Sequence, residues 1–228
     1  MAMHKKILYL RTDICTSQII CGGSVGHTLG VIHGFLEQGY EVIVFSSQMQ
    51  QILQNKYQKL FIVLRVFPIF YVMRWKISYL RWRLECLFSN ISFTLQIFWY
   101  VKKRKLANHE FMFMYARYSV MNCTGVLLQW LLSIPLVLEY NGSEAYWFDI
   151  PDADVWYRRW FRFRWLSYHI EHVNCTYAHI IVVVSQALKD DLVMRGIAKS
   201  KILVNPNGVD SEKFSQLFTR ASATNLEI

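Results

Sequence analysis

Residues 5–46 read KKILYLRTDICTSQIICGGSVGHTLGVIHGFLEQGYEVIVFS, and the order of patterns within them decides the fold. KKILYL (residues 5–10) is a short apolar run after two lysines, the pattern of a buried strand in a parallel sheet. CGGSVGH (residues 21–27) reads as a glycine-rich loop. In TLGVIHGFLEQ (residues 28–38) the side chains of Leu29, Ile32, Phe35 and Leu36 fall on one helical face, and Gly39 is placed to end that helix. EVIVFS (residues 41–46) is a second strand. The unit is strand, loop, helix, strand.

The same alternation continues. FIVLRVF (residues 61–67) reads as a strand stopped by Pro68, and FMFMYAR (residues 111–117) as a fourth. A helix over residues 120–132 leads through Pro135 into PLVLEYNG (residues 135–142), and a long helix is expected over residues 154–175. HIIVVVS (residues 179–185) is a sixth strand, QALKDDLVMRG (residues 186–196) a short helix stopped by glycine, and KILVNPNGVD (residues 201–210) a last strand and turn. The class is therefore α/β: a Rossmann-like, mostly parallel sheet with helices on both faces.

A chain of 228 residues can bury a full core without a metal or disulfides. Cys15, Cys21, Cys86, Cys123 and Cys175 are odd in number, and no two are separated by only two residues, so reduced thiols are expected and a zinc site is not. The opening MAMHKKILYLRTD has too short an apolar stretch for a signal peptide, which needs about 7–15 residues. ISFTLQIFWYV (residues 91–101) falls short of the roughly 20 residues of a spanning helix.

The chemistry-bearing residues gather at strand ends. Glycines between a strand and a helix let backbone N–H groups face a ligand, and the positive end of the following helix suits an anion. Gly22, Gly23, Ser24 and His27 are the candidates there, against the reading of an ordinary βα turn with His27 as a cap. Arg117 follows the fourth strand; Glu139, Asn141, Gly142 and Glu144 follow the fifth; Asn207 follows the last. Loops leaving parallel strands at their carboxyl ends share one edge of the sheet, where open α/β folds bind ligands. Acid, amide and hydroxyl groups at one edge suit a sugar, whose hydroxyls need donors and acceptors. That edge is expected to be concave, open to solvent and rich in unpartnered polar groups. No catalytic base is singled out, and neither a metal nor a cofactor is expected.

KILYLRTD followed by GGSVGHTLGVIHGFLEQGYEVIVFSS resembles the opening of the retaining GT-B glycosyltransferases of the "group 1", family 4-like kind. AHIIVVVSQALKDDLVMRGIAKSKILVNPNGVDSEKF (residues 178–214) is similar to their second signature, with His179 where aspartate is common. MYARYS and LVLEYNGSE look like members that build bacterial capsule, O-antigen or exopolysaccharide chains. The resemblance implies two Rossmann-like domains across a cleft, the first taking a glycan or lipid-linked acceptor and the second a nucleotide-diphosphate sugar. It implies an acceptor domain over residues 1–214, and a tail, residues 215–228, that ends before the donor domain with its paired glutamates. The implied activity is hexose transfer to a lipid-linked or growing polysaccharide in bacterial surface-glycan synthesis. The alternative is a non-catalytic, membrane-associated half-protein that needs a separate donor-domain chain, or an inactive remnant.

The basic aromatic region, helical at about residues 66–106, has its own message. From Lys56 to Lys105 there are eleven bases and one acid, Glu85, a balance of +10 beside +9 for the whole chain. Trp75, Tyr79, Trp82, Phe88, Phe93, Phe98, Trp99 and Tyr100 are interleaved, and VWYRRWFRFRW (residues 155–165) repeats the mixture. Arginine with tryptophan suits an anionic membrane surface; the plainer reading is a solvated basic face over an aromatic core. No nucleic-acid recognition motif is present. The expected location is the cytoplasmic side, peripheral at the inner face of the membrane.

Overall fold

A computed structural model describes residues 6–12, 23–47, 61–63, 78–104, 106, 108–143 and 164–208. Seven strands form one sheet: β1 (Lys6–Arg11), β2 (Glu41–Ser46), β3 (Phe61–Val63), β4 (Phe111–Arg117), β5 (Leu136–Tyr140), β6 (Ile180–Val183) and β7 (Ile202–Val204). Their order is β3-β2-β1-β4-β5-β6-β7, and every neighbouring pair is parallel. The described helices are α1 (Gly23–Glu37), α2 (Ser78–Lys103), α3 (Thr124–Leu132), α4 (Arg164–Tyr177) and α5 (Gln186–Met194). Gly22, Glu144, Asp210, Phe214 and most of the two basic clusters lie outside the described residues.

Right-handed crossovers place these helices. The chain moves from β1 to β2 in one direction across the sheet and from β4 through β5 and β6 to β7 in the other, so the connecting helices fall on opposite faces. Ile7, Tyr9, Val42, Val44 and Tyr115 pack with Val25 and Ile32 of α1 on one side. Leu8, Leu10, Phe45, Met114 and Leu138 pack with Phe93, Val126, Ile170 and Leu192 of α2–α5 on the other. β1 and β4 lie side by side inside the sheet, and the order reverses between them, which is where open α/β sheets bind ligands.

Within the described residues the expected elements form, with shifted ends; residues 64–67 of the expected third strand, 66–77 of the basic region and 154–163 of the expected long helix lie outside them. α1 begins at Gly23, five residues before the expected start, so Gly23, Ser24, Val25, Gly26 and His27 are its first turns and not a loop. Glycine lowers intrinsic helix preference but does not forbid a helix whose Val25, Thr28 and Ile32 are buried. Gly39, at φ +79°, ends the helix as expected. α3 begins at Thr124 and not at Val120, because residues 118–123 form a buried loop.

Three asparagines hold that loop. Asn90 of α2 donates Nδ2 to the carbonyls of Cys86 (2.8 Å) and Met121 (2.6 Å), and its Oδ1 accepts from Cys123 N (2.9 Å) and Thr124 Oγ1 (3.1 Å). Both donors and both acceptor positions of the amide are thereby used. Asn122 Nδ2 donates to the Thr12 carbonyl just beyond β1 (2.6 Å), and Asn174 Nδ2 of α4 donates to the Asn122 carbonyl (2.8 Å). Met121 is held at φ +60°, a conformation costly for a side chain that bears Cβ. Asn90→Ala strands a buried N–H and a buried carbonyl, and should destabilise the fold by about 2–4 kcal/mol in urea unfolding; a change below about 1 kcal/mol would show that the loop holds itself.

Candidate functional site

The α1 face of the sheet changes character along the strands. Residues alternate faces, so β1 presents Ile7, Tyr9 and Arg11 there, β4 presents Phe113, Tyr115 and Arg117, and β5 presents Val137 and Glu139. Ile7 is level with Phe113, Tyr9 with Tyr115, and Arg117 with Glu139. The face runs from apolar through two stacked tyrosines (centroids 5.5 Å apart) to charge at the carboxyl edge. The first turns of α1 lie over that edge.

Glu139 is the centre of the charged layer, at 1% exposure. Its Oε1 receives Arg117 Nη1 at 3.1 Å and Asn141 Nδ2 at 2.6 Å. His27 Nε2 stands 3.1 Å from the same oxygen. Burial alone would raise the carboxyl's pKa; His27, Arg117 and Asn141 outweigh it and hold the group below its ordinary value of 4.5. Glu139 Oε2 and the Tyr9 hydroxyl are buried with no hydrogen-bond partner among the described residues. Burial first, then the Glu139 charge, pushes the hydroxyls of Tyr9 and Tyr115 to higher pKa, so both stay protonated.

Arg11, at 1% exposure, is the member that sequence reasoning missed. Its Nη1 donates to the Ser24 carbonyl (2.8 Å) and to Thr28 Oγ1, and Thr28 Oγ1 donates in turn to the Ser24 carbonyl (3.0 Å). β1 is thus pinned to the start of α1. The signal was available: Arg11 stands two residues after Tyr9, so strand alternation carries it to the α1 face.

The remaining candidates separate. Gly23 and Gly26 are exposed, and a Cβ built on either meets nothing within 4 Å. Ser24 serves Arg11. Gly142, at φ +141°, lets the chain leave β5 so that Ser143 Oγ donates to Glu171 Oε2 (3.0 Å). That carboxylate belongs to a different cluster, with Arg195 Nη2 at 2.6 Å and the Tyr140 hydroxyl at 3.1 Å. Asn207 is exposed beyond β7, two strands from β5 and so about 10 Å away laterally. The expectation of an edge rich in unpartnered polar groups needs correction, because Glu139 and Arg11 are sealed and mostly satisfied by the protein itself. Among the described residues no group of three His, Cys, Asp or Glu side chains is placed to hold a metal.

A depressed carboxyl pKa contributes stability that is complete above the unfolded value and is lost as pH falls through the lower folded value. Glu139 should therefore stabilise the protein fully above 4.5 and progressively less below it. Thermal melts from about pH 3 to 7 should show a steeper acid loss for the native chain than for Glu139→Gln, with the two curves converging at the acid end. Parallel curves would show that the carboxyl is not depressed.

A family model described as Glycosyltransferase Family 4 matches residues 21–213. No curated protein matches the chain. Among solved structures, sucrose-phosphate synthase from Thermosynechococcus elongatus is similar at TM-score 0.57 and 14% identity, over 90% of this chain and 48% of that one. A glycosyltransferase from Rickettsia africae ESF-5 aligns at TM-score 0.56 and 15% identity, over 98% and 50%. Anabaena HepE in complex with UDP-glucose aligns at TM-score 0.52 and 13% identity, over 91% and 45%. The chain spans about half the length of these structures. With a parallel Rossmann-like sheet that matches half of each of these proteins, and a family match over most of its length, the chain belongs to Glycosyltransferase Family 4 and has the fold of an N-terminal GT-B domain.

Proposed function

We propose that this chain is the acceptor side of a retaining hexosyltransferase, which moves a hexose from a nucleotide-diphosphate sugar to a lipid-linked or growing polysaccharide in bacterial surface-glycan synthesis. The observation that carries the reading is the convergence of Arg117, Glu139, Asn141 and His27 beneath the start of α1. Enclosed and ionised, Glu139 fixes its partners in place, and Asn141, exposed just past β5, offers an amide donor and acceptor to sugar hydroxyls. The start of α1 brings a positive helix end, with Gly23 and Gly26 leaving room for close approach.

In such an enzyme the leaving diphosphate is stabilised by helix N-termini and basic side chains, so no metal and no cofactor is required. Most of that work falls to a donor-side domain, in the same polypeptide or on a separate chain. That HepE was solved with UDP-glucose supports a nucleotide-sugar donor for the whole protein. No side chain here is assigned as a catalytic base. Nucleic acid is not a partner in this reading. The lipid-linked acceptor and the basic aromatic sequence together favour work at the anionic cytoplasmic face of a membrane.

Two outcomes test this. Gly26→Ala fits without contact on an exposed helix position, so it should raise stability by about 0.5–1 kcal/mol. If the glycine admits a ligand, the same variant should weaken binding of a lipid-linked acceptor or nucleotide sugar by about tenfold in titration calorimetry, a cost of about 1.4 kcal/mol. Unchanged affinity would leave Gly26 with no role in the site. Secondly, this 228-residue chain, offered radiolabelled nucleotide sugars and lipid-linked acceptors, should transfer no sugar until a donor-side domain is supplied. Robust turnover without one would overturn the division of labour.

A further inference from the structure

α2 is apolar on the side where a surface helix should be polar. Its buried face, Cys86, Asn90, Phe93, Ile97 and Val101, looks onto the sheet. At helical spacing on the opposite face stand Ile91 (53% exposed), Leu95 (48%) and Trp99 (65%). A helix apolar on both faces calls for a second cover. Beyond Trp99 the same side ends in exposed Lys102 and Lys103.

The charge pattern selects the cover. Arg81 and Arg83 lie near the start of α2 and Lys102 and Lys103 at its end, while Glu85 is its only acid. A second copy laid parallel against this helix sets Lys102 and Lys103 against their own counterparts. An anionic surface sets the exposed Lys102 and Lys103 opposite negative charge. No described helix is long and apolar enough to cross a membrane, so this one is suited to lie along the surface. We infer that the outer face of α2 is a lipid-docking face, with Ile91, Leu95 and Trp99 at the headgroup–acyl boundary and Lys102 and Lys103 among anionic headgroups. This rests on the reading that the chain works at an anionic membrane surface, and it names the surface that does the docking. Asn90, one residue before Ile91, is bonded to the loop that follows β4, so the docking face begins beside the carboxyl edge of the sheet. Docking there holds that edge near the lipid that carries the acceptor.

The test uses the full chain with vesicles of phosphatidylcholine, either alone or with about 30 mol% phosphatidylglycerol. Native protein should co-sediment with the anionic vesicles, weakly with the neutral ones, and less as salt rises, because exposed charges are screened within about 8 Å at physiological ionic strength. The triple variant Ile91→Ser, Leu95→Ser, Trp99→Ser should lose at least about tenfold in affinity with an unchanged circular-dichroism spectrum. Should the triple variant fail to fold, Trp99→Ser alone should still cost about fivefold. Native-like binding by folded variants would overturn α2 as the docking face and leave the membrane reading standing. If native protein ignores both kinds of vesicle, the membrane reading falls and this inference with it. A native dimer dispersed by the triple variant, without vesicle binding, would assign the face to a second copy.

Discussion

A carboxylate shut away from water must find its countercharge within the protein, and Glu139 imposes that demand on three elements at once. Arg117 can serve it only if β4 and β5 pair with these two residues level. His27 can approach only if α1 begins over the carboxyl edge of the sheet. Asn141 can turn back to Oε1 only if the chain changes direction just past β5. A one-residue slip of β5 would send Glu139 into the apolar layer beneath α2–α5 and Leu138 to the charged side. The group that favours this register most strongly is therefore the one most exposed to loss if a partner is removed, since an unpaired buried charge costs several kcal/mol.

The handedness of parallel crossovers accounts for where that demand is met. Four described helices lie on one face and α1 on the other, and the two sets diverge from the gap between β1 and β4. Thr12 leaves β1 beside that gap, and Asn122 of the loop after β4 holds its carbonyl. Arg11 then ties β1 to the first turn of α1. The floor of the candidate site is thus drawn from segments more than a hundred residues apart, braced to each other before any ligand arrives. Such bracing favours recognition by a preformed surface over ordering on contact.

Strand positions were legible because buried parallel strands are short apolar runs bounded by polar residues, and Glu41–Ser46 and Phe111–Arg117 end where the pattern does. The start of α1 was not legible. Glycine and serine at residues 22–26 carry turn preferences, and the burial of Val25 and Thr28 that overrides them is a tertiary fact. The same limit hid the burial of Arg11, though not the face it takes. Next to an apolar run a charged residue reads as a strand boundary, and only the approach of Ser24 and Thr28 makes its burial tolerable. Arg117, Glu139 and Asn141 were found by position at strand ends. That Glu139 is enclosed rather than open could not be inferred, because alternation tells which face a side chain takes and not what lies above it.

The place of β1 inside the sheet also sets a clock. Its two neighbours are β2, which follows within 35 residues, and β4, whose first paired residue, Phe111, lies 105 positions after Lys6. A ribosome adding about 5–20 residues each second needs about 5–20 s to reach β4 after finishing β1. For that interval one edge of a strand that ends fully buried has no native partner, and its N–H and carbonyl groups can pair with any extended segment nearby. The strand order that sets β4 beside β1 therefore also creates a waiting period in synthesis, which makes the yield of folded protein sensitive to how fast residues 12–110 are translated and to what shields β1 in the meantime.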